Sequence, residues 1–126
     1  MIYTSKNDLA NALSKYHLAL NLYDELNDLL NKAATLNNIG RIHLSLEQYE
    51  KAEDIFRLTL KLDSQSGEPM NVASDLLSLA KLHALQENHE KSLDFYKQAR
   101  DIFNSLCHDQ YVNELNIIIE GLKEKK

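Results

Sequence analysis

Apolar residues return along this chain at helical intervals, in stretches separated by short polar breaks. Leu36, Ile39, Gly40 and His43 follow the i, i+3, i+4, i+7 rhythm of one helix face. Tyr49, Ala52, Ile55, Phe56 and Thr59 or Leu60 make the face of a second helix, joined to the first through Ser45 to Gln48. Further on, Leu76, Leu79, Ala80 and His83 form another first face, and His89, Ser92, Phe95, Tyr96 and Ala99 another second face. Near the start, Leu9, Ala12, Leu13, Tyr16, Ala19, Leu20 and Tyr23 form a second-type face with no complete first helix before it. Near the end, Val112, Leu115, Ile119 and Leu122 share one face, which predicts a terminal helix covering the array, followed by a charged tail.

These stretches repeat with a period of 40 residues. Tyr16, Phe56 and Tyr96 keep that interval, as do Ala12, Ala52 and Ser92, Leu9, Tyr49 and His89, and Leu22, Leu62 and Ile102. Asn27 and Gly67 align too, and both residue types tolerate the left-handed conformation that ends helices. Whole residues recur between the two complete units: His43 with His83, Glu47 with Glu87, Glu50 with Glu90, Lys51 with Lys91, Asp54 with Asp94. The chain therefore reads as a single domain. It comprises a partial first repeat (1–27), a second repeat (28–67), a third (68–107), and a capping helix with its tail (108–126). Pro69 suits the first turn of a new helix, where its missing N–H is harmless.

Gly40 stands out, because glycine inside a helix costs about 1 kcal/mol relative to alanine. Close approach of two antiparallel helices accounts for it. Gly40 would face Ala52 with Phe56 beside it, and the matching pair in the next unit, Ala80 and Ser92, is again small.

Composition narrows the function. One proline and three glycines in 126 residues point to an all-α chain, since β folds need frequent turn residues. Cys107 is the only cysteine, which excludes an internal disulfide and fits a reducing, cytoplasmic compartment. No apolar run approaches the roughly 20 residues that span a bilayer, and MIYTSKNDLAN lacks the basic and apolar segments of a secretory signal. A formal net charge of −5 argues against a nucleic-acid partner, which calls for clustered Lys and Arg.

The unit resembles the tetratricopeptide repeat, whose pattern runs from an aromatic or Leu through L-G and Tyr to A…F/Y…A across two helices. Leu36, Ile39-Gly40, His43, Tyr49, Ala52 and Phe56 carry it in one unit, and Leu76, Leu79-Ala80, His83, Ser92, Tyr96 and Ala99 in the next. The period of 40 departs from the commoner 34 and looks like the longer-helix branch found in bacterial signalling proteins and some eukaryotic adaptors. His43 and His83 stand where the family usually has Tyr, and Ser64 where it has a final proline. The resemblance implies a right-handed α-α superhelix, a solenoid of antiparallel helix pairs, that binds peptides in a concave groove lined by first helices. The resemblance also implies a non-enzymatic interaction module, for which no cofactor and no metal are expected.

Carried onto this sequence, the groove positions are Ala34, Asn37, Asn38, Arg41, Leu44 and Ser45, then Ser74, Leu77, Ser78, Lys81, Ala84 and Leu85. All lie off the apolar faces. Arg41 and Lys81 share one register in an acidic protein, whereas the second helices carry Glu50, Glu53, Asp54, Glu90 and Asp94. Amides such as Asn37 and Asn38 offer donors and an acceptor to a peptide backbone. The expected partner is an acidic segment or a free C-terminal carboxylate.

Other signals carry less. His43 and His83 sit in the repeat register and read as packing residues, and no histidine pair has ligand spacing on one helix face. Ser78 and Lys81 match S-x-x-K without the accompanying S-D-N and K-T-G, and Cys107-His108 is adjacency without nucleophile–base geometry. The aromatic residues lie at core spacing. The incomplete first repeat leaves Leu9, Leu13, Leu18 and Leu22 as a candidate self-association face. Either the chain is the tail of a longer array, or this face pairs with a second copy in a homodimer.

Overall fold

A computed structural model describes residues 6–124, with side chains from Asp8 onward. Part of the N-terminal stretch that lacks secretory character, and the last two lysines of the tail, lie outside the described residues. Among those described there are six helices and no strand: α1 (Lys6–Glu25), α2 (Leu29–Ser45), α3 (Tyr49–Ser66), α4 (Pro69–Leu85), α5 (His89–Ser105) and α6 (Asp109–Lys123). The all-α helical-repeat class expected from the sequence is the one observed. The chain divides into two compact units between Leu62 and Asp63, inside α3.

The helices are joined by one turn, used five times. Asn27, Glu47, Gly67, Glu87 and Cys107 all have positive φ, between 54° and 69°. At each, the amide of the left-handed residue donates to the carbonyl three residues back, and the next amide donates five residues back, as in Asn27 to Asp24 and Asp28 to Tyr23. This is the Schellman closure, which satisfies carbonyls that a helix end leaves open. The residue that completes it then starts the following helix. The carbonyls of Asp28, Gln48, Glu68, Asn88 and His108 accept from Lys32, Ala52, Val72, Ser92 and Val112. Asp28 and Asn88 also cap with their side chains, accepting from the amides of Asn31 and Lys91. Pro69 opens α4 as expected. The underlying period is thus 20 residues per helix and turn, half the repeat visible in side chains.

In the first unit, α1 packs on α2, and Ala33, Leu36 and Leu62 form a buried cluster with Leu20 and Ile55 against it. Gly40 is buried at the approach of α2 to α3. A Cβ there would lie 2.8 Å from Phe56 Cε1 and 3.1 Å from Ile55 Cγ2. The atoms nearest that position belong to the Phe56 ring, expected beside Gly40, and to Ile55. Ala52 and Phe56 are both fully buried.

In the second unit, α4 packs on α5 and α5 on α6. Ser92 is fully buried, and its Oγ donates to the Ala80 carbonyl at 2.8 Å, so the two helices approach to within one hydroxyl. His83 is buried with its ring stacked on Phe95, centroids 5.6 Å apart. The terminal helix uses the expected face: Leu115 and Ile119 are buried, Val112 and Leu122 half-buried. Phe103 anchors its start, 4.9 Å from the ring of Tyr111.

Candidate functional site

A helix that buries one face presents its other faces to solvent, and in α2 and α4 those carry the residues singled out in the sequence. On α2, Ala34, Arg41 and Ser45 are exposed while Asn37, Asn38 and Leu44 are half-buried. On α4, Ser74, Lys81 and Leu85 are exposed and Leu77, Ser78 and Ala84 half-buried. The two sets occupy matching positions, one in each compact unit. Ser45 and Ser78 turn their hydroxyls back onto the carbonyls of Arg41 and Ser74, four residues earlier. Such back-bonding occupies the donor while leaving oxygen lone pairs open.

In the first unit, part of this set meets α1. An open depression of about 310 Å³ lies between the two helices. From α2 it takes Asn38, Arg41, Ile42 and Ser45; from α1 it takes Leu9, Ala12 and Tyr16. Its volume falls at the lower end of the roughly 300–1,000 Å³ typical of binding pockets. One wall is apolar, and the other offers a guanidinium, an amide and a hydroxyl. Neither Arg41 nor Lys81 forms an ion pair among the described residues, in contrast to Lys32 with Asp24 and Arg57 with Glu53.

The expected self-association set divides. Leu9 lines this depression and Leu13 is half-buried, whereas Leu18 and Leu22 on α1 are 71% and 53% exposed. On α6, Ile117 and Ile118 are exposed and stand one repeat beyond Leu77 and Ser78. Sequence reasoning passed over this pair, although the same 40-residue shift would have found it.

His43 and His83 make structural contacts, with His43 Nδ1 2.6 Å from Gln48 Oε1 across the turn and His83 on Phe95. Among the described residues no cluster of His, Cys, Asp or Glu is arranged to hold a metal ion, and no helix is long and apolar enough to cross a membrane.

A profile of the family described as "Tetratricopeptide repeat" matches residues 1–65, half of the chain. The chain belongs to the tetratricopeptide-repeat family. The repeat of this family is a protein-interaction scaffold and is generally non-enzymatic. No curated protein matches the sequence. Two solved structures are similar to this tetratricopeptide-repeat chain in fold. The crystal structure of BtubC (BKLC) from P. vanneervenii is 22% identical with a TM-score of 0.82, over 94% of this chain and 49% of that one. The apo form of RapI is 23% identical with a TM-score of 0.76, over 88% of this chain and 40% of that one. This chain therefore spans half or less of the length of each.

Proposed function

We propose that the protein captures a peptide segment of a partner through the exposed faces of its first helices, and that Arg41 and Lys81 select acidic segments or a C-terminal carboxylate. The observation that carries the reading is the α1–α2 depression. There the Arg41 guanidinium, with no acidic partner among the described residues, sits beside the Asn38 amide and an apolar wall of Leu9, Ala12 and Tyr16. A carboxylate gains a charge-assisted hydrogen bond from the guanidinium, and the amide suits the peptide backbone beside it. Exposed cations are often energetically idle, so the apolar wall is what makes binding productive. Lys81 offers the same charge at the matching position of the other unit.

The test is a peptide array probed with the native chain, Arg41→Glu and the Arg41→Glu/Lys81→Glu double variant, folding being checked by circular dichroism. The reading requires acidic or free C-terminal peptides to be retained by the native chain and lost by the folded variants. Retention of one and the same set by all three proteins refutes it.

A second reading, homodimerisation, rests on the exposure of Leu18 and Leu22. A monomer mass by light scattering over a wide concentration range excludes it.

A further inference from the structure

Five turns built on one closure can be compared bond by bond. The amide that donates five residues back does so at 2.9 Å from Asp28 to Tyr23, 2.9 Å from Gln48 to His43, 2.8 Å from Asn88 to His83 and 2.9 Å from His108 to Phe103. From Glu68 to Asp63 the distance is 3.3 Å, beyond the usual range of about 2.7–3.2 Å. The inner bond of the same turn, from Gly67 to Ser64, is also 3.3 Å, whereas its four counterparts lie between 3.0 and 3.2 Å. Asp28 and Asn88 add side-chain caps to α2 and α5, but Glu68 adds none to α4. The left-handed residue here is Gly67, with nothing within 4 Å of an added Cβ, and glycine keeps a backbone freedom that the other four turn residues lack.

A side chain at the same turn points the same way. Asp63, whose carbonyl accepts the long bond, is 4% exposed, and its Oδ1 is buried with no hydrogen-bond partner among the described residues. The 40-residue register puts Tyr23 and Phe103 at the matching positions of the other repeats. Phe103, also 4% exposed, fills its position with a ring packed on Tyr111. A carboxylate oxygen buried without a partner opposes burial instead, because it regains hydration as soon as water reaches it. The two compact units divide at this residue as well, between Leu62 and Asp63.

We infer that the α3–α4 turn is a weak joint built into the array, loosened by the buried Asp63 carboxylate. It opens locally, more readily than the other turns and without global unfolding, and admits water to the end of α3 and the first turn of α4. One event draws on all three features. Opening breaks the two longest closure bonds, uses the freedom of Gly67, and hydrates Asp63 Oδ1. The α2–α3 and α4–α5 turns have shorter bonds and a glutamate at the left-handed position, so they stay closed under the same conditions.

Hydrogen exchange of the folded native chain, read residue by residue by NMR, tests this. After correction for intrinsic rates, the Glu68 and Val72 amides should exchange about tenfold faster than their counterparts Gln48 and Ala52, and Asn88 and Ser92. In low urea their rates should also rise less steeply, the mark of an opening that exposes less surface than global unfolding. Asp63→Asn keeps the shape and removes the charge, and should slow Glu68 and Val72 about threefold or more relative to those counterparts. Asp63→Phe, which copies Phe103, should slow them further; if its ring does not fit and the chain fails to fold, Asp63→Asn decides. Equal protection at all three turns overturns the inference, as does a urea dependence at Glu68 and Val72 as steep as elsewhere. Exchange at these two amides that Asp63→Asn leaves unchanged or accelerates overturns it too, since the carboxylate would then be idle or stabilising.

Discussion

Replacing Gly40 by alanine pits two effects of known sign against each other at one position. Helix propensity alone favours the change by about 1 kcal/mol. Against it stands the approach of α2 to α3, where the new methyl would lie 2.8 Å from Phe56 Cε1 and 3.1 Å from both Phe56 Cδ1 and Ile55 Cγ2. The ring has nowhere open to go, because Phe56 is 0% exposed. Overpacking of this kind costs about 1–3 kcal/mol. The difference leaves Gly40→Ala up to about 2 kcal/mol less stable than the native chain, which at this length lowers Tm by about 3–6 °C per kcal/mol. Urea unfolding followed by helical circular dichroism measures it.

Two companion variants isolate the cause. Gly121 is also helical but has nothing within 4 Å of its added Cβ, so Gly121→Ala should keep the propensity gain and stabilise by up to about 1 kcal/mol. In a Phe56→Leu background the space beside Gly40 opens, and Gly40→Ala should turn neutral or favourable, a coupling of about 1–3 kcal/mol between the two sites. If Gly40→Ala stabilises the native chain as much as Gly121→Ala does, the close crossing of α2 and α3 is refuted.

The turns give a second prediction. Glu47 and Glu87 hold φ near +60°, which favours glycine, so Glu47→Gly or Glu87→Gly should raise stability by about 0.5–1 kcal/mol, while Gly67→Ala lowers it by about 1 kcal/mol; equal Tm values for all three would contradict the left-handed closure. Ser92→Ala should cost about 0.5–1.5 kcal/mol in urea unfolding by deleting the buried bond to the Ala80 carbonyl, and no loss would mean the hydroxyl is idle. Burial raises the Tyr96 phenol above its ordinary value of 10.0. The unfolded chain then gives up its proton first, so this contribution to stability is intact below pH 10.0 and is lost as pH rises from there through the raised folded value. Tyr96→Phe should flatten that alkaline decline, and an unchanged slope would refute the assignment.

How much of this was legible in the sequence follows from what each level of structure demands of side chains. Helix faces must be apolar wherever they are buried, so the 40-residue period was plain in Tyr16, Phe56 and Tyr96 and in Ala12, Ala52 and Ser92. The 20-residue period was not, because the turn is closed by backbone amides and tolerates any residue that can bear a positive φ. Only Asn27 and Gly67 advertise it, while Glu47, Glu87 and Cys107 adopt it at a cost of about 1–2 kcal/mol each without looking like turn residues. The depression was hidden for a different reason. Periodicity assigns a residue to a face but does not say which helix the face adjoins, so Leu9 was grouped with Leu18 and Leu22, and Asn38, Arg41 and Ser45 with Lys81. Packing separates Leu9 from its exposed neighbours and seats it with the α2 cation. Sequence identity among repeats then turns from a guide to the fold into a measuring device. Ala12 and Tyr16 occupy the positions of Ala52 and Phe56, yet they are half-buried where those two are fully buried.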